Sequence, residues 1–208
     1  MSIAIIDYGM GNLRSVENAF LSLTPDVRTV CEPQALRDAE KIVLPGVGAF
    51  GDGMARLESG GWISALEEEV RGRRKPFLGL CVGMQVLATT GTEHGSYRGL
   101  NWIPGVVDRL AGGEGVRVPH IGWNDVELIN RDGLYSGVER PVFYFVHSFV
   151  FRPDDPAAIS GVCRHGERFA ASIERGNIWA TQFHPEKSQA SGLQVLRNFV
   201  MRESESFR

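Results

Sequence analysis

The feature that most constrains the fold of this chain is a regular alternation of short apolar runs with helical patterns in its N-terminal half. Each run is followed by Gly or Pro and then by apolar residues at helical spacing, with Asn12 placed as the N-cap of the first helix. Buried strands that alternate with helices are typical of a parallel sheet wound in both directions. The sequence therefore predicts an α/β fold with a doubly wound, mostly parallel sheet flanked by helices. The runs lie at residues 2–7, 26–30, 41–44 and 76–80.

The C-terminal half has a different texture, with β-rich segments at closer spacing. Some of these segments are expected to pair antiparallel, which adds antiparallel strands to the sheet. A last helix is predicted to open at Ser188 and to cover the sheet with an apolar stripe. No repeat or linker divides the chain, so residues 1–208 are predicted to form one domain. The β-rich segments lie at residues 103–110, 125–129, 142–151, 158–164, 169–174 and 177–183.

Composition excludes several classes of protein. The 43% hydrophobic and 23% charged fractions are ordinary for globular domains, and the formal charge of −3 offers no basic surface for nucleic acid. No apolar run approaches the roughly 18 residues that span a bilayer, and the N-terminus lacks the pattern of a signal peptide. We therefore expect a cytoplasmic protein without nucleic-acid or membrane partners. Cys31, Cys81 and Cys163 are too far apart for a zinc-binding CxxC, and their odd number argues against a disulfide framework.

Cys81 stands at a strand-to-helix turn of unusual form. Residues 79–83 read GLCVG and follow the apolar strand directly, as in a nucleophile elbow with sulfur in place of the usual serine oxygen. Such a turn forces the central side chain into an exposed, strained position, and the glycines two residues to either side remove clashes. The N-terminus of the next helix favours thiolate, and its N–H groups, starting with that of Val82, can accept an oxyanion. We interpret Cys81 as a nucleophile, and Cys31 and Cys163 as ordinary cysteines.

A thiolate nucleophile needs a base, and the base needs a group that orients it. His184 and Glu186 fit these roles, because Pro185 keeps the chain extended and residues two apart in an extended chain project to the same side. The alternative is a metal site that combines His184 and Glu186 with His120 or His147, but no metal-binding spacing is present. We interpret the remaining histidines as structural, less firmly for His147 than for the others. They are His94, His120, His147 and His165.

The glycine-rich turn at residues 46–51 formally matches the GxGxxG pattern of dinucleotide-binding proteins. That pattern normally occupies the first βα turn, where Arg14 stands in place of the third glycine, and Pro45 intrudes before the turn. We therefore disfavour nucleotide binding. Because the turn lies beside the predicted nucleophile strand, its backbone N–H groups are placed to complete an oxyanion hole.

Three motifs in this order resemble the class I glutamine amidotransferase family: PGVG at residues 45–48, GLCVGMQ at 79–85 and FHPE at 183–186. More closely, residues 6–13, 119–124, 145–148 and 180–189 resemble the glutaminase subunits of imidazole glycerol phosphate synthases. The likeness runs from Ile3 to about Phe199. It implies a flavodoxin-like amidotransferase fold, L-glutamine as the substrate, and neither a cofactor nor a metal.

The resemblance also implies roles for single residues. Cys81 attacks the side-chain amide of glutamine to form a γ-glutamyl thioester, His184 transfers the proton to the leaving ammonia, and Glu186 orients the imidazole. In the same family the oxyanion hole falls on Val82, Val47 and Gly48. The implied glutamine pocket is formed by Gln85, Glu93, Gly48, His147, Ser148 and Phe149.

The partner implied by the resemblance is a (β/α)₈-barrel cyclase subunit that forms a heterodimer with the glutaminase and uses its ammonia in histidine biosynthesis. The contact surface in the family falls on Asn12, Trp123 and Tyr144. Three alternatives remain open. The ammonia serves another acceptor, in pyridoxal phosphate, anthranilate or GMP synthesis; or the chain is a stand-alone γ-glutamyl thiol hydrolase; or it is a silent binding subunit that keeps the fold.

Overall fold

Five parallel strands form one half of a nine-stranded sheet in the computed structural model, which describes residues 2–113 and 115–202. The strands that lead into PGVG, GLCVG and FHPE are neighbours in this half. In chain order the strands are β1 (Ile3–Ile6), β2 (Val27–Val30), β3 (Lys41–Gly46), β4 (Phe77–Cys81), β5 (Thr90–Gly91), β6 (Tyr97–Arg98), β7 (Gly105–Arg109), β8 (His120–Leu128), β9 (Val142–His147), β10 (Phe149–Pro153), β11 (Ile159–His165), β12 (Glu167–Arg175) and β13 (Ile178–Thr181).

The main sheet has the strand order β2-β1-β3-β4-β13-β12-β11-β8-β9. Its first five strands are parallel and repeat the 2-1-3-4-5 order of flavodoxin-like folds, with β13 as the fifth strand. The remaining strands pair antiparallel. A smaller second sheet has the order β10-β7-β5-β6. The predicted doubly wound sheet with added antiparallel strands is therefore confirmed.

Helices cover the parallel half on both faces. Ile3 and Ile5 pack in one apolar cluster with the first and last helices, while Ala4 and Ile6 point to the other face and pack with the second and third. This alternation explains why β1 reads as a continuous apolar run. Among the described residues, no helix is both long and apolar enough to cross a membrane. The helices are α1 (Leu13–Leu21), α2 (Phe50–Ser59), α3 (Trp62–Leu66), α4 (Val82–Gln85) and α5 (Gln189–Met201), with a π-helical turn at Glu67–Gly72 and short 3₁₀ turns at Pro33–Asp38, Gly133–Tyr135, Pro156–Ala158 and Pro185–Lys187.

Three strand predictions differ from the structure. The single strand predicted at residues 142–151 is two strands, because β9 pairs with β8 in the main sheet while β10 turns away at Ser148 to pair with β7 in the second sheet. β8 begins at His120, earlier than predicted, since its first residues pair with the end of β9. The strand predicted at residues 177–183 ends at Thr181, which leaves Gln182 and Phe183 outside the ladder.

Candidate active site

The candidate site lies where three neighbouring parallel strands end. β3 pairs with β4 so that Gly46 is opposite Cys81, and β4 pairs with β13 so that Leu80 is opposite Thr181. The glycine-rich turn, Cys81 and the segment that carries His184 therefore emerge side by side at the carboxyl edge of the sheet. In open α/β sheets this edge is where ligands bind.

Cys81 has a backbone conformation that side chains rarely adopt, with φ of 54° and ψ of −107°. Such strain persists only when the surroundings impose it. Here α4 packs so closely on the sheet that a Cβ on Gly79 would meet the Gly83 carbonyl, and one on Gly83 would meet the Leu44 carbonyl, each closer than 3.0 Å. The helix after the turn is α4, which begins directly at Val82 and spans four residues.

The side chain of Cys81 is only 5% exposed, which corrects the expectation of an exposed position. The reason is that side chains of the segment after β13 pack against the sulfur. The amide Nε2 of Gln182 lies 3.7 Å from Sγ, and His184 lines the same cavity as Cys81. The thiol is therefore reached through a cavity and not from the open surface.

His184 and Glu186 form a buried hydrogen-bonded pair. Nδ1 of His184 lies 2.8 Å from Oε1 of Glu186, and both side chains are almost fully buried. The backbone fixes this segment, because the His184 N–H donates to the Tyr144 carbonyl. Ser188 is the N-cap residue of α5, yet its hydroxyl makes no capping bond to the helix; it donates to the His184 carbonyl and accepts from the Tyr144 N–H. The segment is thus held at both ends.

The electrostatics of His184 favour its charged form. Burial lowers the pKa of the imidazole, but the neighbouring Cys81 sulfur and Glu186 carboxylate outweigh burial and raise the pKa to about 10. The imidazole is therefore protonated near neutral pH and can donate a proton to a leaving group. The buried Nε2 of His184 makes no hydrogen bond of normal geometry with any residue in the described part of the chain. It is available to a reacting atom.

A cavity of about 170 Å³ opens onto these groups. It brings together the residues proposed for the triad, the oxyanion hole and the glutamine pocket, except that Glu186 lies behind His184 and does not line it. One wall is acidic, since Glu93 contributes a carboxylate whose Oε2 accepts from the Phe50 N–H. The lining residues are Val47, Gly48, Cys81, Val82, Gln85, Glu93, Val146, His147, Ser148, Phe149 and His184.

His147 lines the cavity, but neither of its ring nitrogens is free for a ligand. Nδ1 lies 3.0 Å from the Phe149 carbonyl and must donate to it. Nε2 is therefore an acceptor, and it accepts a hydrogen bond from His120 Nδ1, also at 3.0 Å. His120 Nε2 then accepts from the Asn124 amide. These bonds require two neutral rings. The alternative metal site has no support in this geometry, because within residues 2–113 and 115–202 no group of three or more His, Cys, Asp or Glu side chains is arranged to hold a metal ion.

The two neutral rings predict an acid-sensitive fold. Burial is the main cause that lowers the pKa of His120 to about 4 and that of His147 to about 3. Between about pH 6.5 and 4 the unfolded chain therefore binds more protons than the folded one, so stability falls as pH falls, by roughly 1 kcal/mol per pH unit for each histidine. Urea unfolding at pH 7, 5.5 and 4.5 measures this slope. His120→Gln should remove the contribution of about one proton, and an unchanged slope would contradict the assignment.

The three residues proposed for the partner surface flank the His184 segment. Trp123 is 48% exposed, on β8 directly opposite Tyr144 on β9, and the two rings meet edge to face with centroids 6.0 Å apart. Asn12 is exposed at the N-terminus of α1, where its side chain makes no capping hydrogen bond. It also borders a void of about 10 Å³ that is lined by His184 and Glu186 as well.

Two residues near the sulfur were missed by sequence reasoning. The hydroxyl of Tyr8 is buried without a hydrogen-bond partner among the described residues, and burial, then Cys81, raises its pKa. Gln182 is fully buried and contacts Cys81. For Gln182 a signal existed in the sequence, since it stands two residues before His184 in an extended segment and so shares its side of the chain. For Tyr8 we find no such signal.

A strained cysteine at a strand-to-helix turn, beside a buried histidine and carboxylate from the segment after the neighbouring strand, defines a class of protein. The class is that of cysteine-dependent hydrolases built on a doubly wound α/β sheet, in which an imidazole serves the sulfur and a carboxylate orients the imidazole.

Comparison with known proteins narrows this class. The sequence profile of the family "Glutamine amidotransferase class-I" matches residues 4–202. Similar curated proteins are the imidazole glycerol phosphate synthase subunits HisH of Geobacter sulfurreducens, 50% identical over 95% of this chain and 97% of that one, and of Methanothermobacter thermautotrophicus, 47% identical over 95% and 97%. The chain therefore belongs to the class I glutamine amidotransferases, among the HisH subunits of imidazole glycerol phosphate synthase.

Solved structures agree at the level of the fold. A crystal structure of a glutamine amidotransferase superposes with a TM-score of 0.75 over 96% of this chain and 97% of that one, at 19% identity. A chain of PurLQS from Thermotoga maritima gives a TM-score of 0.73 over 96% and 97%, at 18% identity. The shared architecture is thus retained at low sequence identity.

Proposed function

We propose that this chain hydrolyses L-glutamine to glutamate and ammonia through Cys81, His184 and Glu186, and passes the ammonia to a (β/α)₈-barrel cyclase subunit that makes imidazole glycerol phosphate. One observation carries the proposal. The strained Cys81 opens into the same cavity as an imidazole that is hydrogen-bonded to a buried carboxylate and interacts with the sulfur. Membership of the HisH subunits supports the role in histidine biosynthesis and favours this acceptor over those of other amidotransferases.

In the first half of the reaction the thiolate of Cys81 attacks the side-chain carbonyl carbon of glutamine. Because the pKa of His184 is raised, the proton already resides on the imidazole, which donates it to the leaving nitrogen as the carbon–nitrogen bond breaks. The products of this step are a γ-glutamyl thioester, ammonia and neutral His184. Glu186 holds the ring through Nδ1, so that Nε2 faces the reacting atoms.

In the second half water enters in place of ammonia. Neutral His184 takes a proton from the water as its oxygen attacks the thioester carbon, and the carbon–sulfur bond breaks to restore thiolate and imidazolium. Both halves pass through an oxyanion. The N–H of Val82, the first residue of α4, and the peptide of Val47 and Gly48 are the groups proposed to receive it.

The cavity supplies complementary groups for the amino-acid end of glutamine. Glu93 offers a carboxylate for the substrate ammonium. Gln85 donates through Nε2 to the Phe149 carbonyl, which leaves its Oε1 as an acceptor. Gly48, His147 and Ser148 also line the cavity, and they are proposed to complete the glutamine pocket by packing against the substrate.

The barrel subunit is proposed to dock over Asn12, Trp123 and Tyr144. Trp123 and Ile121 leave apolar side chains 48% and 61% exposed on one face of β8, as a partner-binding surface requires. The void beside Asn12 is about 10 Å³, at the lower limit of roughly 10–15 Å³ that one water molecule needs. Ammonia that crossed here into a covered passage would escape protonation by bulk water.

The test is ammonia release from glutamine by the purified chain, with and without the barrel subunit and its nucleotide ligand. We expect the complex to be faster by about 10²–10³-fold, the effect of one oxyanion-hole donor brought into place. Isothermal titration on the same samples measures whether the subunits associate. Turnover by the single chain at the rate of the complex would overturn the coupling, although the glutaminase assignment would stand.

A further inference from the structure

Gln182 makes contacts that the proposed mechanism does not use. It is fully buried, its backbone N–H donates to the Ala171 carbonyl, and its side chain lies between Cys81 and Gln85. The distance from Nε2 to Sγ of Cys81 is 3.7 Å, and the distance from Oε1 to Nε2 of Gln85 is 3.0 Å. Gln182 does not line the cavity, so it reaches the sulfur from behind.

The direction of these hydrogen bonds follows from one carbonyl. The Phe149 oxygen can only accept, so the Gln85 atom 3.1 Å from it must be the amide nitrogen. The same nitrogen faces Gln182, whose nearer atom must then be Oε1. The other end of the Gln182 amide, which carries the protons, is thereby turned toward sulfur. Reversing either amide would set two acceptors or two donors against each other.

We propose that Gln182 is a positioning residue that donates an N–H to the Cys81 thiolate and holds the sulfur toward the cavity, with its own amide set by Gln85 and the Phe149 carbonyl. A donor fixed at this place stabilises the charged sulfur more than the neutral thiol. Gln182 and His184 lie on the same segment and approach the one sulfur together. The inference concerns the resting thiolate and rests on the proposed glutaminase only for its effect on turnover.

The test measures the reactivity of the thiolate without glutamine or the barrel subunit. Full-length wild type and Gln182→Met are treated with iodoacetamide from pH 5 to 9, and Cys81 modification is quantified by peptide mass spectrometry. Methionine keeps the length of the side chain and removes the donor. We expect modification at pH 7 to slow about tenfold and its pH midpoint to rise, as the loss of a hydrogen bond to a charged group implies. The exposed Cys31 is the internal reference in each sample.

A packing role alone would lower thermal stability and leave the pH midpoint unchanged, and that outcome would overturn the proposal. If Gln182→Met does not fold, Gln85→Met takes its place, because the loss of the Gln85 donor leaves the Gln182 amide free to turn. A smaller slowing of Cys81 modification is then expected. An unchanged rate would refute the proposed orientation of the Gln182 amide by Gln85. In the complex, Gln182→Met should lower kcat with little change in KM, since the residue lies outside the cavity. Failure of the glutaminase proposal would leave the alkylation difference intact.

Discussion

Cys81→Ala should abolish ammonia release from glutamine in the complex with the barrel subunit, with a loss of at least about 10⁴-fold in kcat. Cys81 is the one cysteine among the described residues that line the cavity. Removal of a nucleophile that acts together with its base leaves only the contribution of binding and of the oxyanion hole. The measurement is initial-rate ammonia release at saturating glutamine, with subunit association verified in the same samples.

Two variants separate chemistry from folding in this experiment. Cys31→Ala changes an exposed thiol and should keep the wild-type rate. Cys81→Gly should be as inactive as Cys81→Ala but more stable than it, by about 1 kcal/mol, because glycine adopts a φ of 54° without the penalty that a side chain meets there. Retention of more than about one hundredth of the wild-type rate by Cys81→Ala would exclude the sulfur as the nucleophile.

The parallel half of the fold could be predicted because burial on both faces leaves a direct trace in the sequence. Every residue of Ile3–Ile6 and Phe77–Cys81 is buried, so each strand reads as an apolar run followed by a turn. The position of Cys81 was readable for a similar reason. The glycines that permit the turn stand two residues to either side of Cys81. Each is required by a close contact of its backbone within the turn or with the neighbouring strand β3.

The division of residues 142–151 was not predicted, because both strands are apolar and the polar residues His147 and Ser148 between them do not show which partner strand each one takes. The two strands differ in the strand they pair with: β9 pairs with β8, and β10 pairs with β7. Tertiary packing determines this pairing. The place of Gln182 two residues before His184 was readable from the sequence, but the orientation of its amide was not. Its orientation depends on Gln85 and on the Phe149 carbonyl, which come from separate segments and meet only in the folded chain.

Gly83→Ala should lower the free energy of unfolding by about 3 kcal/mol or more and displace Cys81. The added methyl would point at the Leu44 carbonyl at less than 3.0 Å, and neither side can yield easily, because one is the backbone of β3 and the other the first turn of α4. Glutaminase activity should be lost together with stability, since the same displacement moves the sulfur. Urea unfolding followed by circular dichroism measures the first effect. Ammonia release from the folded fraction in complex with the barrel subunit measures the second.

Gly72→Ala is the matched control, since Gly72 is also helical but exposed, and its added methyl would meet only the Glu67 carbonyl at 3.6 Å. It should leave activity unchanged and alter stability by less than about 1 kcal/mol, in the stabilising direction. A Gly83→Ala protein that unfolds like the control would mean that α4 does not press against β3. The strained backbone of Cys81 would then be unexplained. The close contact of α4 with the sheet is the proposed cause of that strain, and it places the sulfur at the sheet edge beside His184.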